Sequence, residues 1–121
     1  MVVLSACETG TGLVSEGEGM ISLARTFAYG GTKSIITTLW SIPDSESTKT
    51  IMVDFYKNLN QQSSKDESLR KAKLEHLSRS DHARAHPKFW AAFTPIGDME
   101  KVDFSSNSLG KYVFVLSLIH I

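Results

Sequence analysis

A single cysteine, three prolines, two tryptophans and no excess of either charge mark this 121-residue sequence. One cysteine excludes an internal disulfide framework and a multi-cysteine zinc site. Thirteen basic residues cancel thirteen acidic ones, for a formal net charge of +0. That balance removes the electrostatic footprint of a general nucleic-acid or membrane-surface binder, so neither partner is expected. No run approaches the roughly 20 apolar residues of a membrane-crossing helix. No basic segment followed by an apolar one opens the chain as a secretory signal would, and a cytoplasmic location is expected. What is present is a hydrophobic share of 41%, which argues against wholesale disorder. The length is one domain's worth and can bury one ordinary core.

Met1–Ala6 is a short apolar run and reads as a strand buried on both faces. A glycine-rich loop follows from Glu8 to Gly19. Met20, Leu23, Ala24 and Phe27 recur at helical spacing, and Gly30–Gly31 ends that helix. Ser34 to Trp40 is β-branched and aromatic, a second strand. Strand, helix, strand in this order predicts a βαβ unit, an α/β fold and a mostly parallel sheet. A further helix is predicted over Glu46–Asn60, with Ile51, Met52, Phe55 and Leu59 inward. Ser64 and Glu67 form a capping-box pattern that opens another, running to about Leu77. Glu67 with Lys71 and Glu75 with Arg79 are i, i+4 pairs on its wet face. A last strand is expected at about 89–94, with Pro95 ending it or marking an edge. These readings cover residues 1–98, and beyond Asp98 the pattern weakens. The tail, 99–121, is open: its apolar stretch Tyr112–Ile121 reads equally as an edge strand, the start of a longer membrane segment, or sequence with no folded role.

Cys7 stands at the carboxyl end of the first strand, where open α/β sheets gather their functional groups. A thiol there, followed by a flexible loop, is placed as a nucleophile. A free cysteine also serves as a small buried hydrophobe, and position alone does not separate the two.

The residues Val2-Val-Leu-Ser-Ala-Cys-Glu-Thr-Gly10 resemble the cysteine motif of CHAT domains, caspase-like peptidase modules often attached to tetratricopeptide repeats. Three more blocks resemble that family in order: Gly17 to Gly31, Ser34 to Thr48, and His86 to Asp98. The resemblance implies a caspase-haemoglobinase-like fold, a three-layer sandwich, and cysteine endopeptidase activity through a Cys-His dyad. Cys7 would be the nucleophile, attacking a scissile carbonyl, with its backbone N–H helping to bind the oxyanion. Glu8, Thr9 and Gly10 would belong to the active-site loop. Trp40 and Asp44 would line the substrate groove; packing for Trp40 and helix capping for Asp44 are the plain alternatives. A protein or peptide substrate is implied, and no metal or organic cofactor.

The family's catalytic histidine lies upstream of the cysteine, on a strand ending in His-Gly. Six residues precede Cys7, and none of His76, His82, His86 and His120 is followed by glycine. The resemblance therefore implies the C-terminal half of a CHAT domain, with Met1 a truncation point or internal start. Such a chain is expected to be inactive alone and to be completed by the absent N-terminal half or by repeat domains. A packing or hydrogen-bonding role is expected for His86. The competing reading is a non-catalytic protein-interaction module of the same fold. Phosphate binding by Gly10, Gly12, Gly17 and Gly19 is disfavoured: the spacing fits neither dinucleotide nor P-loop patterns, and Glu8, Glu16 and Glu18 repel anions.

Overall fold

The computed structural model describes residues 1–6, 18–40, 42, 45–103 and 114–118. The elements follow as β1 (Val2–Ala6), α1 (Glu18–Tyr29), β2 (Ser34–Thr38), α2 (Glu46–Asn60), α3 (Lys65–Arg79), α4 (Pro87–Trp90), β3 (Phe93–Gly97) and β4 (Phe114–Leu118). The four strands form one mixed sheet in the order β3-β2-β1-β4. β1 runs parallel to both β2 and β4, whereas β3 is antiparallel to β2.

Alternation along the central strands divides the core between the two faces. Val2 and Ile35 pack with Ala24 and Phe27 of α1 on one side. Val3 and Ile36 turn to the other, against Ile51, Phe55 and Leu59 of α2 and Leu69 and Ala72 of α3. Helices therefore cover both faces of an α/β sheet. Ile36, Ile51 and Phe55 are wholly buried, and Met52 packs at the margin of their cluster, as its helical spacing predicts.

α1 ends in a Schellman motif: Thr32 N donates to Phe27 O, and Gly31 N to Ala28 O. Gly31 stands at φ +87°, in the left-handed region. Ser45 caps α2, its Oγ accepting from Thr48 N at 3.3 Å. α3 folds back along α2. Asn58 Nδ2 donates to Ser68 O, and Arg79 reaches the buried Asp54 carboxylate at 3.1 Å.

Four expectations are corrected. β2 stops at Thr38, before Trp40. The stretch read as a strand from residue 89 begins with a turn of helix, α4; Pro87 occupies its first turn, and the strand itself is displaced to Phe93–Gly97. Ser64 flanks α3 without a side-chain capping bond; it is its carbonyl that bonds the helix, accepting from Ser68 N and Ser68 Oγ. Glu67 pairs with Arg70 rather than Lys71, whose ammonium donates to Ser63 Oγ; Glu75 does pair with Arg79, at 3.2 Å. The tail contributes β4, an edge strand.

Candidate functional site

β1 and β2 are parallel, so their carboxyl ends, Ala6 and Thr38, open on the same side of the sheet. β3 starts on that side, directly after α4. Beyond β2, Leu39 N donates to Ala92 O, which extends the β2–β3 ladder by one pair. Trp40 follows. Its indole Nε1 donates to the Lys88 carbonyl of α4 at 3.1 Å, leaving the residue 37% exposed. The indole N–H is thus committed to the protein, and the exposed part of Trp40 offers apolar contact.

α4 is itself pinned from within. His86 Nδ1 accepts from Lys88 N at 3.2 Å, the hydrogen-bonding role expected of it. That acceptor role puts the neutral ring's proton on Nε2. Trp90 Nε1 donates to Ala85 O, and the Lys88 ammonium lies over the Phe89 ring, 4.7 Å from its centroid. The Trp40–Lys88 tie is a tertiary contact across 48 positions, and no local signal in the sequence points to it.

Of the residues predicted to form the site, Trp40 is placed by the structure. Cys7, Glu8, Thr9, Gly10 and Asp44 lie outside the described residues. Among the histidines, His76 is buried; its Nε2 lies 3.1 Å from the Arg84 carbonyl, and Ser80 Oγ donates to the His76 carbonyl at 2.6 Å. His82 is exposed in a turn, and His120 lies outside the described residues. His76 and His86 therefore each hold a ring nitrogen against backbone.

β2 carries a further polar feature that sequence reading passed over. Ser34, Thr37 and Thr38 are buried, and their hydroxyls lack hydrogen-bond partners among the described residues. Away from the predicted site residues, a groove of about 370 Å³ runs between α3, α4 and β3, walled by Leu69, Leu74, Leu77, Trp90 and Pro95. No group of three or more metal-ligating side chains gathers among the described residues. No helix among them is long and apolar enough to cross a membrane.

The family model for the CHAT domain matches residues 1–98. The chain belongs to the CHAT domain family. The match takes in β1, α1, β2, the α2–α3 pair, α4 and β3, and also the segment containing Cys7. β4 lies beyond the matched part of this CHAT domain. No curated protein and no solved structure matches the chain.

Proposed function

We propose that this CHAT domain carries the nucleophile half of a caspase-like cysteine endopeptidase site, built on a caspase-haemoglobinase-like sandwich. The observation that carries the reading is the family match over residues 1–98, which includes the cysteine block at the carboxyl end of β1. Cys7 is the nucleophile: its thiolate adds to the scissile carbonyl, and the amine leaves with a proton from the general acid. Glu8, Thr9 and Gly10 shape the loop that presents it. Trp40 offers an apolar wall to a substrate side chain, and Asp44 a carboxylate that favours a basic or hydrogen-bonding one.

The general base comes from a segment other than residues 1–121. His76 and His86 are engaged with backbone groups, which supports this. A thiol near its ordinary pKa of about 8.5 is mostly protonated at neutral pH and attacks slowly. Residues 1–121 alone therefore hydrolyse no peptide.

The test is the alkylation rate of Cys7, the sole thiol, against pH, together with hydrolysis of a fluorogenic peptide library. Expected are an ordinary thiol titration and no hydrolysis. Alkylation that persists well below neutral pH would reveal a base or cation beside Cys7 and overturn the incomplete site. A form extended by a strand ending in His-Gly should be labelled at Cys7 by a peptidyl acyloxymethyl ketone. Failure of that form to label would remove the peptidase reading and leave a non-catalytic interaction module.

A further inference from the structure

The two edges of the family-matched sheet are treated in opposite ways. On β3, Asp98 N donates to Lys33 O and Leu39 N to Ala92 O. With the register Ser34↔Gly97 to Thr38↔Phe93, this alternation turns the backbone groups of Phe93, Pro95 and Gly97 outward. Pro95 has no N–H to offer there, and the Phe93 carbonyl is taken by Lys73 Nζ at 2.7 Å. Proline and lysine on an outer edge prevent further strands from adding.

The outer edge of β1 carries no such block. Residues 1–98, the family-matched segment, supply β1, β2 and β3. Among the described residues, only β4, which lies beyond that match, pairs with this edge. β1 (VVLSA) and β4 (FVLSL) run parallel over five residues, Val2↔Phe114 to Ala6↔Leu118. Neither strand contains a charge or a proline. β1 is the element on which β4 packs substantially among the described residues, so one ladder holds it in place. Residues 104–113 join it to the last described part of the preceding chain. Ten residues extend over about 35 Å, several times the roughly 4.8 Å between neighbouring strands, so β4 can leave β1 and stay tethered.

A general base must come within about 3 Å of the thiol it activates. Neighbouring strands lie about 4.8 Å apart and next-but-one strands about twice that. β2 holds one side of β1. A strand that delivers a histidine to the carboxyl end of β1, where Cys7 follows in the sequence, must run parallel to β1 on the other side. β4 takes that place, in that direction.

We propose that the outer edge of β1 is the docking surface for the base-bearing strand, and that β4 is its exchangeable cover. The proposal rests on the Cys-His reading of the site. The partner is an uncharged extended segment, parallel to β1, with histidine at its carboxyl end. While it is away, β4 pairs the open N–H and C=O groups of β1 and protects the edge from chance association. Its arrival replaces one five-residue ladder by another, and the equilibrium follows the difference in affinity for the same edge. The tether keeps β4 at high effective concentration, so a weak free strand does not displace it.

Two measurements test this without using the chemistry of Cys7. In the unmodified chain, alternate amides of β1 face β2 and β4. Those facing β4 should exchange hydrogen about tenfold or more faster than those facing β2, because β4 opens locally. Equal exchange along all of β1 would make β4 a fixed strand and overturn the proposal. For the second, Ser5 and Ser117 are partners in the register, at a strand spacing that suits a disulfide. In a Cys7→Ser background, Ser5→Cys/Ser117→Cys should form an intramolecular 5–117 link on oxidation, identified by peptide mass. The same variant extended by a strand ending in His-Gly should lose that link. Equal crosslinking in both forms means that β4 is not displaced, and no crosslinking in either means that it does not cover β1; each result overturns the proposal. Loss of the link in the extended form, with Cys7 restored but still unlabelled by the peptidyl ketone, upholds the exchange and removes the peptidase reading alone.

Discussion

Lys73 reaches from α3 to the edge of the sheet, where its Nζ donates to the Phe93 carbonyl at 2.7 Å. The contact closes a backbone acceptor that would otherwise face outward, and it brings an ammonium into partly buried surroundings. Burial disfavours the charged form and lowers the Lys73 pKa from its usual value of 10.5. Between the lowered folded pKa and 10.5 the unfolded chain binds more protons, so the Lys73 contribution makes stability rise with pH in that window. Burial of the Tyr56 hydroxyl does the opposite: its pKa is raised from 10.0, and stability falls as pH rises above that value. Lys73→Met should abolish the rising limb and leave the fall. Urea unfolding midpoints from pH 8 to 11 measure both.

Gly97 and Gly31 share a positive φ, +91° and +87°, but not their surroundings. A Cβ on Gly97 would collide with the Lys33 carbonyl oxygen, whereas one on Gly31 meets open space. Gly31→Ala should cost about 1 kcal/mol for the left-handed backbone alone. Gly97→Ala should cost about 2–4 kcal/mol, because strand backbone must also shift. Chemical denaturation of the two variants side by side checks the difference.

The hydroxyl of Thr37 is buried without a partner among the described residues. Thr37→Val keeps the shape and removes a desolvated polar group, so it should stabilise the fold by about 1 kcal/mol. A loss of similar size would mean that the hydroxyl is bonded. Thermal unfolding distinguishes the two.

Asp54 is a buried carboxylate at the α2–α3 contact, held by Arg79 at 3.1 Å and by Lys57 at 3.8 Å. Arg79→Ala removes the shorter contact and leaves the carboxylate under-paired, at a cost of about 1–3 kcal/mol. Asp54→Asn/Arg79→Ala should recover part of that loss, since no uncompensated charge then remains buried. A double-mutant cycle in urea gives the coupling.

The helices were legible where periodicity is local. The bounds Glu46–Asn60 of α2 and the inward row Ile51, Phe55 and Leu59 appear as the spacing predicts. Gly30–Gly31 marks the end of α1 for a backbone reason that the sequence carries by itself. The cysteine motif was legible as a pattern, and the family match includes it. Residues 86–92 were not legible. Phe89 and Trp90 suit a strand by composition, but Pro87 and the His86 ring favour a turn of helix, and a four-residue helix is too short to show a period.

The sequence by itself determined the α/β class and the length and inward face of α2. These depend on residues a few positions apart. Tertiary structure decided that β3 runs antiparallel with Pro95 harmlessly outward, that Trp40 gives its N–H to Lys88, and that β4 pairs with β1 from the far end of the sequence. Each is a contact between distant segments, so no local pattern in the sequence encodes which backbone groups meet.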